Sequence, residues 1–413
     1  MLSGEEADVD GNERTGIFRW LHSRRVPLTV LAFFLPLLII FLVFCHGLEP
    51  LLIRRGPRLL PDFGTMFAGV QAYDPASLLL WYIGDISEGS FMKSIPASVL
   101  YILLSLFGSG LSVRLAEVDY KEPGPLAQMG RSLASALLSL LIACAVSAPF
   151  FHLGWLPTFT AFLMTQILIG FIGNSPIQCL TIAVLSGITM APLSILIMYT
   201  VAVPLQLPGF VGGGLGMAIG TIIDCEIMRL LPWMNMAPVD EPKDPPARMP
   251  RRTASQARLD VVLAIFRDLG DMPGTGSAAG GVGLAVGLML GWELNPLHGF
   301  YGGPAENLLA ILLATSAIGI CFHYPTFRRG GYAFTLAPLL TMGAIASTYE
   351  NTLAYDVLAL LVAAAFAPML VKYLLEHVGF LKRWPASVAT QVVAVLFTVL
   401  ISVPILLAGF LGL

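Results

Sequence analysis

The stretch HGFYGGPAEN, residues 298–307, concentrates more chemical capacity than any other part of the chain: His298 and Glu306 bracket Gly302, Gly303 and Pro304. Two kinds of chemistry are open to it. As a helix start, Gly303 caps, Pro304 takes the first helical position, and Glu306 meets the positive end of the helix dipole, worth about 0.3–1 kcal/mol. As a break at bilayer depth, the glycines leave amide and carbonyl groups free to bind a solute, which lipid tolerates only where protein or a wet cavity surrounds the backbone. The segment is long for a helical hairpin, nearly uncharged, and flanked by Glu293 and Glu306. These features point to a partly re-entrant loop that forms a site.

A second glycine-rich stretch, PGFVGGGLGMAIGTIID, offers Gly212 and Gly213 either for close helix packing or as free backbone. Asn174, Gln178, Asn295 and Gln166 carry amides able to hydrogen-bond a polar solute, although such groups more often join helices. Carboxylates inside a bilayer cost several kcal/mol unless protonated, paired or wetted, so the few present are functional candidates. Glu293, Glu306, Asp356, Asp224 and Glu226 lie near the ends of apolar runs. The expected binding set is therefore Asn174, Gln178, Gly212, Gly213, Asn295, His298, Gly302, Gly303 and Glu306, with Glu293, Glu306 and Asp224 coupling an ion.

Signs of enzymatic chemistry are missing. The six histidines form no HxxxH or HxxH pair, and there is no Gly-x-Ser-x-Gly elbow, Walker A loop or aspartate-rich motif. The five cysteines are odd in number and widely spaced, which suits buried thiols better than a disulfide or zinc framework. No catalytic residue, metal or cofactor is expected. A net charge of -3 gives no basic surface for nucleic acid.

The elements that must position these residues are membrane helices. In 413 residues, 56% are hydrophobic and 12% charged, with a mean hydropathy of +0.79, against about a quarter charged in soluble proteins. The expected class is an all-α polytopic integral membrane protein with Gly/Pro-broken or re-entrant segments. About eleven spans fit a core roughly 30 Å thick, near 27–46, 96–113, 132–151, 157–173, 176–203, 208–224, 277–294, 306–323, 331–348, 354–375 and 386–411. Four Ala-Pro pairs, at 148–149, 191–192, 337–338 and 367–368, are expected to kink their spans. Arg14, Arg19, Arg24 and Arg25 place the amino end in the cytoplasm, and Lys and Arg recur in every second loop. The first apolar run is read as a retained helix of a prokaryotic inner or plasma membrane protein. LLIRRGPRLLPDF, 51–63, is expected to lie in the interface, and 64–95 to pack outside the bundle or to dip into it.

Four regions follow: a cytoplasmic tail at 1–26, a first membrane half at 27–236, a proline-rich cytoplasmic linker with an amphipathic helix at 237–275, and a second half at 276–413. On that helix Leu259, Val262, Leu263 and Phe266 share an apolar face, suggesting a helix on the inner leaflet. Two self-similarities suggest related halves: 170–187 with 299–316, and 152–168 with 377–393. Their spacings differ, so one duplication cannot produce both. The sum of these features fits a secondary transporter, or permease, that moves a small polar solute with H+ or Na+. A passive channel-like permease or a non-catalytic subunit of a larger complex is the alternative, and a homo-oligomer stays open.

Overall fold

The computed structural model describes residues 24–115, 126–173, 175–234, 253–298, 305–328, 335–349 and 352–411. Asn174, Gly302, Gly303 and the proline-rich linker at 237–252 lie outside the described residues. Among the described residues every regular element is helical. The main helices are α1 (Arg25–Arg55), α2 (Phe63–Gln71), α3 (Pro75–Glu88), α4 (Ile95–Leu115), α5 (Leu126–Ser147), α6 (Phe159–Ile172), α7 (Pro176–Ile197) and α8 (Phe210–Arg229). After the linker come α9 (Ala254–Asp271), α10 (Ala278–Leu294), α11 (Ala305–Arg328), α12 (Leu336–Ala346), α13 (Leu353–His377) and α14 (Ala386–Leu411).

Seven helices are long and apolar enough to cross a membrane, and four shorter apolar helices, Ile95–Gly108, Phe159–Ile172, Ala278–Leu294 and Leu336–Ala346, lie at the other expected spans. This is the architecture of an α-helical membrane protein. Phe33, Ile40, Val43, Phe107 and Leu400 point outward, as side chains facing lipid do. The short helices are the most enclosed. Every described residue of α12 from Leu336 to Ile345 is buried, and α6 is buried along nearly its whole length.

Small residues decide how the helices meet. Gly280, Gly283 and Gly287 on α10 face Ser105, Leu100 and Ala97 on α4, and Gly291 faces Ser94 just before it, so the two helices run antiparallel with backbones in close approach. Gly212, Gly216 and Gly220 of α8 likewise accept Met198, Ser194 and Met190 from the chain of α7 and its end, and Gly214 accepts Val395 of α14.

Several expectations change at this level. Residues 51–55, LLIRR, continue α1 without a break, giving a helix of 31 residues. From there the chain straps onto the end of α10: Arg58 donates to Asn295 Oδ1 at 3.0 Å, and Leu59 N–H to the Leu294 carbonyl at 3.2 Å. Region 64–95 forms α2 and α3, and the end of α3 is driven into the interior, with Gly84 through Ser90 all buried. The amphipathic helix forms as α9. Its packed face is Val261, Ala264, Ile265, Asp268 and Leu269, while Leu259 and Leu263 are exposed. In lipid an apolar stripe faces outward at no cost, so the stripe does not mark the packed side. Of the Ala-Pro pairs, only Pro192 and Pro368 sit inside α-helices; Pro338 falls in the first turn of α12, where no intrahelical bond is lost, and Pro149 opens a short 3-10 helix.

The 170–187 pair cannot be followed, because 299–304 is outside the described residues. Residues 152–168 run from the end of a 3-10 helix into buried α6, and 377–393 run from the end of α13 through a 3-10 helix into α14.

Candidate functional site

The best-built polar site lies at the elbow between α3 and α4, in GDISEGSFMKS, residues 84–94. Asp74 caps α3 by accepting from Ser77 N–H at 2.8 Å, and Pro75 fills the first helical position. One apolar turn after another then carries Asp85 and Glu88 inward. At the tip Phe91 adopts a left-handed backbone, φ +63°, rare for a bulky residue and costing on the order of 1–3 kcal/mol. Phe91 packs on Gly343 of α12 and edge-on against Phe210 of α8, with ring centroids 5.6 Å apart. The chain then returns as α4, held by Ser87, whose hydroxyl lies within 3.1 Å of the Gly84, Met92 and Ser94 carbonyls.

This elbow brings Lys93 against both Asp85 and Glu88. Lys93 and Asp85 expose none of their side-chain surface, and Glu88 exposes 1%. Gly84 makes room for the lysine stem, since a Cβ there would stand 2.5 Å from Lys93 Cγ. The ammonium also lies over the ring of Trp81, 3.6 Å from its centroid. Thr158, immediately before α6, donates to Asp85 Oδ2 at 2.6 Å, and Trp155 Nε1 donates to Glu88 Oε1. Cys144 Sγ lies 3.6 Å from the same Asp85 oxygen. Two carboxylates face one ammonium, leaving one negative charge uncompensated if all three are ionised. Removing a lone charge from water costs several kcal/mol, so the site is chemically disposed to hold a proton or a further cation.

The residues singled out from the sequence lie elsewhere. Asn295 clamps the strap, its Nδ2 donating to the Leu60 carbonyl at 2.8 Å. His298 joins three segments: Nδ1 donates to the Pro61 carbonyl at 2.7 Å and Nε2 accepts from Ile95 N–H at 3.3 Å. Burial holds its imidazole below the ordinary histidine range, and the bond to Pro61 only partly opposes this. Gln178 completes a capping box with Ser175 and donates to the Met234 carbonyl at 2.9 Å. Gly212 serves helix packing, while the Gly213 carbonyl accepts from Ser194 at 3.4 Å. Glu293 is exposed. Asp224 is buried between α8 and α7, accepting from Thr189 at 2.8 Å and Ser186 at 3.2 Å. Glu306 is 0% exposed, and neither carboxylate oxygen has a hydrogen-bond partner. His46, Glu49 and Cys45 of α1 are its electrostatic neighbours.

The structure therefore brings Asn295 and His298 together as a clamp beneath the strap, keeps Glu306 as an unpaired buried carboxylate, and places Asp224 and Gln178 apart from both. Sequence reasoning missed Asp85, Glu88 and Lys93. The available signal was three ionisable residues within nine positions, in a turn set between apolar runs. A scan against protein-family models finds no match, and a search of curated proteins finds no similar sequence. The class the fold defines, an α-helical membrane protein, rests on the helices themselves.

Proposed function

We propose that the protein is a secondary transporter of a small polar solute, coupled to H+ or Na+, in a prokaryotic cell membrane with its amino end in the cytoplasm. The observation that carries this reading is the Asp85–Glu88–Lys93 group, enclosed at a strained elbow inside an apolar helical bundle. Ionisable groups at such depth are rare, and they mark ion and substrate pathways because the cost of placing them there must be recovered in function. The unpaired carboxylate of Glu306 supports the same reading, since a buried acceptor without a donor is disposed to take a proton, cation or solute. The elbow, with its excess carboxylate, acts as the coupling centre, and Glu306 with the neighbouring glycine-rich segment receives the solute.

The test is uptake into proteoliposomes of a labelled panel of amino acids, carboxylates, sugars and nucleosides, with an inward H+ or Na+ gradient imposed separately. Saturable uptake that follows one gradient is expected. Glu306→Gln and Asp85→Asn should each abolish gradient-driven accumulation while leaving a monodisperse folded protein. Linear flux indifferent to both gradients would instead identify a passive permease. Wild-type accumulation in both variants would remove the two carboxylates from the mechanism.

A further inference from the structure

A second elbow, between α9 and α10, repeats the first in sequence and in contacts. RDLGDMPGTGS, 267–277, aligns without a gap on GDISEGSFMKS, 84–94, with identities at Asp85/Asp268 and Ser94/Ser277 and like residues at Ile86/Leu269 and Glu88/Asp271. Ser94 and Ser277 open the helices that follow, and the Ser277 hydroxyl accepts from Gly280 N–H at 3.2 Å. Phe91 and Gly274 occupy the same place, and both have positive φ, +63° and +114°.

The surroundings match as well. Asp85 is bonded by Thr158, the residue before buried α6, and the side chain that acts on Asp268 from the same position is Thr335, the residue before buried α12. Each tip crosses to the other short helix: Phe91 rests on Gly343 of α12, and Gly274 rests on Gln166 of α6. In that register Gln166 and Gly343 are themselves equivalent, each eight residues after its threonine. The antiparallel pair α4 and α10 are also counterparts, so equivalent helices run in opposite directions. Neither self-similarity apparent from the sequence has this spacing. The spacing here is 183 residues at the elbows and 177 at the threonines, a difference that small insertions accommodate.

The charges differ. Where Lys93 stands in the first elbow, the second has Gly276, and where Gly84 admits the lysine, the second has Arg267. Arg267 and Asp271 both border Gly276, on the same side of the elbow. Asp268, buried, accepts a hydrogen bond from Ser316 Oγ of α11 at 2.5 Å, and the Thr335 side chain also acts on it. Arg267 and Asp271 are the charged groups that act on it. Against the same elbow, Gln166 is 3% exposed and donates to the Pro273 carbonyl at 2.8 Å, yet its Oε1 has no donor. A buried carboxylate among hydroxyls, beside an orphaned amide oxygen, is a set of oxygen ligands presented to something electron-poor.

We propose that residues 75–229 and 254–411 are inverted repeats, and that the α9–α10 elbow binds an exchangeable monovalent cation at Asp268 where Lys93 supplies a tethered one to Asp85. Ser316 and Thr335 complete the ligand set, with Gln166 Oε1 as an acceptor on the adjoining turn. Sodium and a proton satisfy the same chemistry. The coupling role of this cation rests on the transport reading, whereas its binding does not.

The experiment uses the full chain in detergent micelles, without solute. Thermal unfolding is followed against NaCl at pH 8, with choline chloride holding ionic strength constant, and the carboxyl C=O infrared band is titrated with pH in choline alone. A sodium site gives a saturable rise in Tm, and a proton site gives a titrating carboxyl component assigned to Asp268 by the wild-type minus Asp268→Asn difference spectrum. Either response should vanish in Asp268→Asn and persist in Glu226→Gln, an exposed carboxylate on α8. Ser316→Ala and Thr335→Val should weaken a sodium response about tenfold in half-saturation or shift the carboxyl band, and they decide the matter if Asp268→Asn does not fold. Absence of both responses from the wild type, or their persistence unchanged in Asp268→Asn or in both hydroxyl variants, overturns the proposal. Cation binding without any solute uptake would sink the transport reading and leave this site standing.

Discussion

The α3–α4 and α9–α10 elbows place an aspartate in the same setting, below a buried threonine and one turn before another acid, but they balance its charge differently. In the first, Lys93 reaches Asp85 and Glu88 from within the chain. In the second, the residue at that position is glycine, and Asp268 rests on the Ser316 hydroxyl. One backbone device thus accommodates a permanent ion pair and a carboxylate of unfixed charge. The distinction depends on two positions, 84/93 and 267/276, at which glycine and a basic residue have exchanged places.

The sharpest way to break the comparison is Lys93→Met. Removing one partner of a buried ion pair costs about 3–5 kcal/mol, because the remaining charges stay unpaired. Folded yield should collapse, and Lys93→Met combined with Asp85→Asn should recover part of it, as read by size-exclusion profile and Tm. A lysine variant as stable as wild type would show that the first elbow does not need its cation.

A smaller effect separates the two threonines. Thr158→Val deletes a charge-assisted bond to an aspartate fixed as an ion pair, worth about 1.5–3 kcal/mol. Thr335→Val should lower Tm less, because Asp268 retains the Ser316 hydroxyl at 2.5 Å and can take a proton. Equal losses would mean that both aspartates carry the same charge.

His298 joins the strap to the start of α4 beside the first elbow, and its contribution depends on pH. Its folded pKa is lowered, so the stabilisation is complete above the unfolded imidazole value of about 6.5 and declines as pH falls below it. The difference in Tm between wild type and His298→Gln should narrow from pH 7.5 to pH 5.5. A constant difference would show that folding leaves the proton affinity of the imidazole unchanged. The smallest effect expected is at the start of α10, where Ser277→Ala should cost about 1 kcal/mol as a lost cap, measured by Tm.

Much of the helical layout was legible before any coordinates. Seven of the expected spans have a helix long and apolar enough to cross a membrane, because roughly 20 apolar residues with internally satisfied backbone form a signal that needs no tertiary context, and the helices at the other four positions are shorter. The candidate site was far less legible. Asn295, His298 and Gln178 were recognisable as buried polar residues, but whether an amide clamps a strap or meets a solute depends on what lies opposite it. Glu306 was suspected from its position in a first turn, and its unpaired oxygens emerge only in the packed bundle.

What the sequence by itself determined is the medium and the element type: composition excludes an aqueous fold, and the lengths of the apolar runs require helices. What the tertiary structure alone decided is which faces are interior. Leu259 and Val261 read alike to any hydropathy pattern, yet one is exposed and the other packed, because lipid and protein core are equally apolar surroundings. The same physics hid Asp85, Lys93 and Asp268. A charged residue in a short polar-looking turn carries no mark of depth until neighbouring helices close over it and remove the water.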